Sequence, residues 1–460
     1  MSGILEKFLT DSEKYAFDPE HRRRLDFNIG RYDEQVKKGK LLYSNLELAK
    51  RRAANLKHKA LNRLDRSLVE FETNFERRGG KIIWALSEKE AQKEILSIAK
   101  RINAQVVVKQ KTMLSEELDI NEILKKGKRE ILETDLGEYI VQIAGEKPYH
   151  ILTPAMHKSK EDVALLFHEK FGLSPGSTPE EIAGFVREHL REKFILADIG
   201  ITGANFLIAD TGAVALTENE GNGLLTVAFP KIHIVVAGIE KVIPALDDLD
   251  LFLPLLATHG TGQHITAYNN ILFGPRTPSE QDGPDEMIVI LVDNRRTEVL
   301  KLKEQRRALS CIRCGACLNG CPVYRGIGGY TYGAVYSGPI GSVISPHFLG
   351  LKEYNHLSDA SSLCGKCSEV CPLKIPLHEL LLYNRNETVK RKLSKTAWNY
   401  IMKGWKIVML KRWILDRSGT KMKNYLFRKY FRKKWGSRRE LPRIADKSFK
   451  QLWQEGHLDN

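Results

Sequence analysis

Seven cysteines are the residues whose type and spacing most clearly indicate chemistry, and all of them lie between Cys311 and Cys371. The first run, CIRCGACLNGCP over residues 311–322, has the spacing C-x2-C-x2-C-x3-C-P. This spacing is typical of a loop that wraps a [4Fe–4S] cube, because closely spaced thiolates reach separate iron corners. The second run, CGKCSEVCP over residues 364–372, lacks the first cysteine, and Ser361 stands in that slot.

Two such runs usually exchange their last cysteines, so that each cluster takes ligands from both runs. The predicted metal ligands of the first cluster are Cys311, Cys314, Cys317 and Cys371. The predicted metal ligands of the second cluster are Cys321, Cys364 and Cys367. The fourth corner of the second cluster stays open between Ser361, another side chain, a partner protein, solvent, and an empty corner as in a three-iron cluster. The sequence therefore predicts two iron–sulfur clusters, expected to be [4Fe–4S], of which the second has three cysteine ligands.

Zinc is the competing interpretation, since zinc sites also pair cysteines two to four residues apart. The triple spacing, the Cys-Pro ending and the near-repeat favour iron and sulfide. A disulfide framework would spread over the fold and needs an oxidising compartment. The 42 residues between Cys321 and Cys364 are too many for a small βαβ ferredoxin and suit a helical ferredoxin-type domain. Within them, residues 325–346 are rich in Gly and Tyr and are predicted to form an ordered loop over a cluster.

The elements that must position these cysteines change character along the chain. An apolar stripe at helical spacing predicts helices up to about residue 78. From Gly79 onward, short buried-strand patterns alternate with helical ones, which predicts an α/β domain with a mainly parallel sheet. Strands are predicted over 81–86, 104–108, 139–144, 201–216 (two strands about a turn), 231–238 and 287–293. Helices are predicted over 88–101, 120–127, 159–171, 179–193 and 245–257.

These patterns divide the chain into four expected regions. They are a helical N-terminal region over 1–78, an α/β domain over 79–298, a helical ferredoxin-type domain over 299–384, and a basic, Trp-rich helical tail over 385–460. The only internal repeat is the pair of cysteine runs.

The α/β domain carries polar residues without a complete catalytic set. The loop 216–223 follows a strand, where open α/β sheets place ligands, so Glu218 and Glu220 are candidate site residues. His259 and His264 flank a Gly-Thr-Gly turn and are expected to be packed or capping residues. We assign no catalytic residue, and no nucleotide-binding fingerprint follows a strand here.

The positive charge is concentrated in one tail. Residues 385–450 contain 22 Lys and Arg against 4 Asp and Glu, while the whole chain has a net charge of +15. Five of the six tryptophans lie in residues 398–453, and Trp398, Ile401, Trp405, Val408 and Trp413 or Ile414 can share a helix face. Docking on a partner subunit, adhesion to an anionic membrane surface and packing within the chain are the alternatives, in that order. No nucleic-acid-binding module accompanies the charge, so nucleic acid is not an expected partner.

The N-terminus has no basic stretch followed by an apolar one, so we expect no secretory signal and a reducing cytoplasm as the location. No apolar run reaches the roughly 20 residues that a membrane span needs. Contact with the inner face of a membrane would therefore be peripheral.

Three segments together resemble the lactate utilization protein B family: ADIGITGANFLIADTGAVALTENEGNG, CIRCGACLNGCPVYR and SSLCGKCSEVCPLKIP. The resemblance implies a lactate-utilization domain similar in fold to ribose-5-phosphate isomerase and coenzyme A transferases. It implies the same cluster ligands, with the missing cysteine as part of the family pattern. It also implies an iron–sulfur electron carrier in the oxidation of L-lactate to pyruvate, working with companion proteins A and C and an unknown electron acceptor.

The expected role is that of an electron-carrying component, not of a self-sufficient dehydrogenase. The alternative is a transferase-like or ligand-binding enzyme in which Glu218 is catalytic and the clusters are structural or sense redox state.

Overall fold

The computed structural model describes residues 3–393, 396–411, 413, 419–435 and 440–456. The chain separates into two units, one that ends at Glu387 and one that begins at Thr388. The cysteines and the α/β sheet both belong to the first unit.

Four helices begin the first unit. They are α1 (Gly3–Ala16), α2 (Pro19–Lys40), α3 (Leu46–Asn62) and α4 (Leu64–Arg77). Side-chain caps fix two of their starts, because Asp18 accepts the N–H groups of Glu20 and His21, and Asn45 accepts that of Leu48. Such caps satisfy N–H groups that have no partner inside the helix.

A six-stranded sheet, parallel throughout, forms the centre of the α/β domain. Its strands are β1 (Lys81–Ala85), β2 (Val106–Lys109), β3 (Glu130–Glu133), β4 (Ile199–Thr202), β7 (Ile232–Gly238) and β10 (Glu286–Val292), in the spatial order β1-β10-β7-β4-β2-β3. Every residue of β7 is buried, because helices cover one face of the strand and the other packs against α4 and the second sheet described below. The predicted mainly parallel α/β class is confirmed.

A second sheet of four strands packs beside the first. It contains β5 (Phe206–Ile208), β6 (Ala213–Glu218), β8 (Val242–Ile243) and β9 (Tyr268–Leu272), in the order β8-β5-β6-β9. The predicted hairpin turn lies between β5 and β6. Gly212 in this turn has φ +67° and a Cβ there would lie 2.3 Å from the backbone nitrogen of Phe75, so only glycine fits. The sequence patterns did not reveal β3, β8 or β9, and the first of the two strands predicted over 201–216 is in fact two strands, β4 and β5, which belong to different sheets.

Helices connect the strands of both sheets. They are α5 (Glu88–Arg101), α6 (Met113–Glu117), α7 (Ile120–Lys126), α8 (Leu136–Ile143), α9 (Lys160–Phe171), α10 (Pro179–Leu196), α11 (Asn222–Ala228), α12 (Leu249–Gly260) and α13 (Arg296–Lys301). The prediction of a strand over 139–144 was wrong, because this segment lies in α8. Its apolar run is too short for periodicity to separate strand from helix, and Asp135 caps the helix by accepting the N–H of Glu138.

The cysteine region is helical, as the ferredoxin-type class predicts. Its helices are α14 (Ala316–Asn319), α15 (Pro322–Ile327), α16 (Gly338–Leu349), α17 (Leu351–Asp359), α18 (Lys366–Glu369) and α19 (Leu377–Lys390). The predicted loop over 325–346 was only partly right, since α16 fills its second half despite Pro346 inside the helix. One apolar core joins this region to the α/β domain and includes Ile151, Phe252, Ile312 and Leu380.

The second unit contains three helices in its described part, α20 (Thr396–Leu410), α21 (Thr420–Trp435) and α22 (Phe449–Gln454). Ile401, Trp405 and Val408 lie on α20 at helical spacing, while Ile414 and the side chain of Trp398 lie outside the described residues. Across the described part of the chain, none of the helices combines the length and the apolar character that crossing a membrane requires.

Candidate iron–sulfur centre and the adjoining cavity

The two cysteine runs follow the same backbone course. Arg313 (φ 63°) and Leu363 (φ 54°) are left-handed at equivalent positions, just before Cys314 and Cys364. A left-handed glycine then opens each short helix, Gly315 (φ 74°) before α14 and Gly365 (φ 81°) before α18. Alternating left- and right-handed residues turn successive N–H groups toward one side, which forms a concave site for an anion.

Four thiols from both runs line one small cavity, which we call site 1. They are Cys311, Cys314, Cys317 and Cys371. The rest of the lining is almost wholly apolar and includes Ile151, Ile312, Ile340 and Leu373. The structure therefore brings together the four cysteines that the exchange pattern assigns to the first cluster, although ligation itself stays a prediction.

The surroundings of site 1 fit a metal cluster and would otherwise be unfavourable for thiolates. Burial raises the pKa of Cys314, Cys317 and Cys371, in the last case to about 11, and the neighbouring thiols add to the effect. A cluster of iron cations would supply the positive charge that lets these groups ionise. Backbone N–H groups of Arg313 and Ile375 lie 3.4 Å from the sulfurs of Cys311 and Cys371, where they favour negative charge.

The remaining three cysteines lie close enough to influence one another's ionisation and form a second group, which we call site 2: Cys321, Cys364 and Cys367. Burial raises the pKa of Cys321, with Cys364 contributing, and raises that of Cys367 to about 11, with Cys321 contributing. Cys364 is exposed, and hydrogen bonds from the Lys366 N–H and the Ser362 side chain lower its pKa. Site 2 thus opens to the surface at Cys364.

Ser361 occupies the position in site 2 that Cys311 occupies in site 1. The N–H of Leu363 donates to Ser361 Oγ at 3.1 Å, as the N–H of Arg313 donates to Cys311 Sγ at 3.4 Å. By these equivalent hydrogen bonds, Ser361 Oγ in the second run corresponds to Cys311 Sγ in the first.

The two sites are neighbours. Helices α14 and α18, which begin within the two runs, are in contact. Tyr332 is fully buried near both groups: burial raises its pKa, and Cys321 of site 2 and Cys317 of site 1 add to the shift. Its ring centroid lies 6.0 Å from that of Tyr324.

A larger cavity of about 320 Å³ lies in the α/β domain. It opens at the carboxyl ends of three adjacent strands, where Lys111 follows β2, Gly203 follows β4 and Lys241 follows β7. This edge is where open α/β sheets bind ligands. Ile151, Ile312 and Arg313 line both this cavity and site 1, so a single layer of residues separates them.

Of the four polar residues singled out from the sequence, two line this cavity and two do not. Glu218 and Glu220 line it, whereas His259 and His264 do not. Glu218 accepts the N–H groups of Gly223 at 2.6 Å and Leu224 at 3.0 Å, so it caps α11, and burial raises its pKa. His259 is buried, with Nδ1 2.9 Å from the carbonyl of Leu255, and His264 is exposed.

A buried charge network under the cavity wall was missed by sequence analysis. Arg296 donates to both oxygens of Glu117 at 2.9 Å and to Glu240 at 2.7 Å. Tyr336 donates to Glu117 at 2.6 Å, and the Arg313 guanidinium lies 4.4 Å from the Tyr336 ring centroid. These residues are distant in sequence and form no local motif, so only the fold reveals them.

Two lysines, the buried Lys57 and the half-buried Lys241, complete the cationic side of this network. Lys57 Nζ donates to the carbonyls of Glu240 at 2.5 Å and Val242 at 3.0 Å. Burial lowers the pKa of Lys57 to about 7 and that of Lys241 to about 8, and Cys311 raises both in part. Positive charge is therefore concentrated between the large cavity and site 1.

Two protein-family models match the chain. The LUD domain model matches residues 68–292, and the 4Fe-4S dicluster domain model matches residues 307–375. The fold and the cysteine sites thus define a LUD-domain protein with a ferredoxin-type iron–sulfur domain. The second match favours iron–sulfur clusters over zinc.

Several curated proteins are similar over most of the chain. Lactate utilization protein B of Bacillus licheniformis is 46% identical over 340 residues, which are 74% of this chain and 71% of that protein. A protein of Escherichia coli K12, named uncharacterized electron transport protein YkgF, is 38% identical over 421 residues, which are 88% and 87% of the two chains. The chain belongs to the lactate utilization protein B family.

A crystal structure of a DUF162 family protein from Deinococcus radiodurans is also similar. It covers 50% of this chain and 98% of its own, at 16% identity and a TM-score of 0.30.

Proposed function

We propose that this protein carries electrons through two iron–sulfur clusters during the oxidation of L-lactate to pyruvate. The observation that carries the proposal is the gathering of all seven cysteines, from two distant runs, into two adjoining groups. The relatives named for lactate utilization and electron transport support it. The protein acts as a component of a multiprotein system and not as a complete dehydrogenase.

The proposed ligands are the four thiols of site 1 for one cluster and the three thiols of site 2 for the other. An iron–sulfur cluster, when bound, accepts and donates single electrons. The chain supplies the surroundings that would control this electron transfer. Apolar residues exclude water from site 1, and backbone N–H groups near Cys311 and Cys371 favour the anionic state of their sulfurs. The contact of α14 with α18 holds the two groups side by side.

The different exposure of the two sites supports a different role for each. Site 1 lies behind a single layer of residues from the α/β cavity, while site 2 reaches the surface at Cys364. Oxidation of lactate releases two electrons, which a pair of single-electron sites can take in turn. We assign site 1 to the substrate side and site 2 to exchange with an external electron partner.

The partners are proposed from the family pattern. Companion proteins A and C of the lactate utilization system are the expected partners, and the electron acceptor is a further protein or carrier. The basic tail over 385–460 is the proposed docking region for one of them, with peripheral contact to an anionic membrane as the alternative. The proposed location is the cytoplasm, and the proposed division at residues 78, 298 and 384 separates the four regions.

Iron and sulfide analysis together with electron paramagnetic resonance tests this proposal on protein prepared without air. Two cubes give about eight iron and about eight sulfide per chain, and a cube with a three-iron cluster gives less iron. Redox titration is expected to show two reversible single-electron signals. A colourless protein, bound zinc, or clusters that cannot be reduced reversibly would contradict an electron carrier.

A ligand-binding or transferase-like enzyme with structural clusters is the second candidate, favoured by the position of Glu218 on the cavity wall. Growth on lactate after Glu218→Gln separates the two candidates. Loss of growth with unchanged cluster spectra would favour the enzyme. Retained growth would favour the electron carrier, because Glu218 then serves as a cap of α11.

A further inference from the structure

The wall between the large cavity and site 1 contains cationic side chains that lack enough hydrogen-bond acceptors or anionic partners. Lys241 follows β7 and lines the large cavity but not site 1. Its Nζ makes no hydrogen bond and no ion pair with any residue in the described part of the chain. A half-buried ammonium that faces a cavity without a partner indicates a place for an anion, because an uncompensated charge there is unfavourable.

Arg313 adds a second donor at the same end of the cavity. Its Nη1 is buried and lacks a hydrogen-bond acceptor, while Nη2 lies 3.7 Å from Glu240. Stacking over the Tyr336 ring at 4.4 Å fixes the plane of the guanidinium. A guanidinium held in this way can present its donors to the two oxygens of a carboxylate.

The neighbouring carboxylates leave this end of the cavity positive. Glu117 is engaged by Arg296 and Tyr336, and Glu240 by Arg296 and more distantly by Arg313. Three cations, Arg296, Arg313 and Lys241, therefore face two carboxylates. Elsewhere on the lining, Glu218 caps α11 and the ammonium of Lys111 donates to the carbonyl of Leu152 at 2.5 Å, so both are already engaged.

We propose that the large cavity binds a small organic acid whose carboxylate is held by Lys241 and Arg313, next to site 1. A volume of about 320 Å³ accommodates such a molecule with water, and it lies at the lower end of the range for ligand pockets. The charge argument requires an anion, which a guanidinium binds as a carboxylate or as a phosphate, and the choice of a carboxylate rests on the proposed function. The choice of a 2-hydroxy or 2-oxo acid rests on the proposed function. Binding here places the acid one residue layer from site 1.

The alternative use of these cations is to balance the negative charge of the site 1 thiolates. Arg313 lines both cavities and could serve both. Lys241 distinguishes the two uses, because it lines the large cavity only. A substitution of Lys241 is therefore the informative one.

Calorimetric titration of the intact protein, with its clusters and without air, tests the inference. L-lactate and pyruvate are the probes, and L-lactamide is the neutral control of the same shape. We expect saturable binding of at least one acid and binding of the amide about ten-fold weaker or more, since a hydrogen bond to a charged group is lost. Equal affinity for lactate and lactamide, or no binding of either acid, would overturn the inference.

The matched variants are Lys241→Gln and Lys231→Gln. Lys231 is exposed and precedes β7, whereas Lys241 follows it, so the two lysines lie at opposite ends of one strand. Lys241→Gln is expected to weaken acid binding about ten-fold at unchanged iron content, Lys241→Arg to retain it, and Lys231→Gln to leave it unchanged. If Lys241→Gln changes the cluster spectrum but not acid binding, the lysine serves site 1 and the inference fails.

The failure of this inference and the failure of the proposed function are distinguishable. Absence of acid binding with two reversible paramagnetic signals would leave the electron carrier intact and remove the acid site. Acid binding without reversible reduction of the clusters would support the acid site and contradict the electron carrier.

Discussion

Site 1 and site 2 are built by the same backbone but placed in different surroundings. Each has a left-handed residue, a cysteine, a left-handed glycine and a short helix in the same order. Site 1 gathers four thiols behind apolar residues, while site 2 gathers three thiols and Ser361, with Cys364 exposed. The motif therefore determines how thiols are presented, and the elements packed against it determine burial and charge.

The two glycines show where the difference arises. A Cβ on Gly315 would lie 3.1 Å from Leu152 and 3.6 Å from His150, because the α/β domain packs over this run. A Cβ on Gly365 would meet no described atom within 4 Å. One turn lies inside the joint core and the other at its edge.

The largest expected effect comes from replacing, one at a time, the last cysteine of each run. Cys371→Ser should remove the cluster of site 1 although it lies in the second run, and Cys321→Ser should remove that of site 2. Each variant is expected to lose about half of its iron, with a different paramagnetic signal missing in each. Iron analysis and paramagnetic resonance measure this.

The control for that pair is Glu369→Gln, which changes an exposed carboxylate of the second run that pairs with Lys366 and lies outside the predicted ligands. It should keep both signals. Loss of the site 2 signal in Cys371→Ser would mean that each run holds its own cluster, and the comparison drawn above would be wrong.

The second prediction concerns the charges beneath each site. Arg296→Met leaves Glu117 and Glu240 buried without their main partner, which should lower the free energy of unfolding by about 3–5 kcal/mol. Arg385→Met, on the site 2 side, removes a partly exposed ion pair with Asp359 and hydrogen bonds to the carbonyls of Ser358 and Ser361, and should cost about 1 kcal/mol. Urea unfolding of the two variants compares them, and equal midpoints would contradict the asymmetry.

Sequence reasoning reached the sites in part. The cysteine spacing predicts the groups that the structure assembles, because ligand spacing is local chemistry. The parallel sheet was predictable from alternating patterns, but α8 was mistaken for a strand because a mostly apolar segment of six residues, interrupted only by Gln142, fits either a strand or a helix. Sequence analysis did not identify Arg296, Glu240 and Lys241 as site residues, because they come together only when β7 and β10 lie side by side.

The third prediction uses the glycine pair. Ala at either position meets left-handed strain of roughly 1–2 kcal/mol, whereas only Gly315→Ala adds overlap with Leu152. The Leu152 side chain must then shift slightly, at a cost at the lower end of the roughly 1–3 kcal/mol typical of overpacking. We expect the melting temperature of the protein with its clusters to fall further in Gly315→Ala than in Gly365→Ala. A larger fall in Gly365→Ala would show that site 2 is the more tightly enclosed site.

The fourth prediction is that site 2 is damaged first by oxygen. Its fourth corner lacks a cysteine and Cys364 is exposed, so oxidants reach it more readily. A timed exposure to air, followed by paramagnetic resonance, should show the site 2 signal falling several-fold faster than that of site 1. Equal rates would mean that the protein protects both sites alike.

The smallest expected effect is also the sharpest test of the comparison. Ser361 accepts the same backbone hydrogen bond as Cys311, so Ser361→Cys should place a fourth thiol at site 2 with little change in backbone. The site 2 signal should then survive air about two-fold longer or more, because thiolates are preferred iron–sulfur ligands, while site 1 stays unchanged. Glu369→Cys is the control, since it adds a thiol at an exposed residue of α18 whose carboxylate pairs with Lys366. If both variants protect site 2 equally, any added thiol near the run is protective and the position equivalent to Cys311 has no special importance. If only Ser361→Cys protects it, the two runs share their ligand positions and differ at one atom.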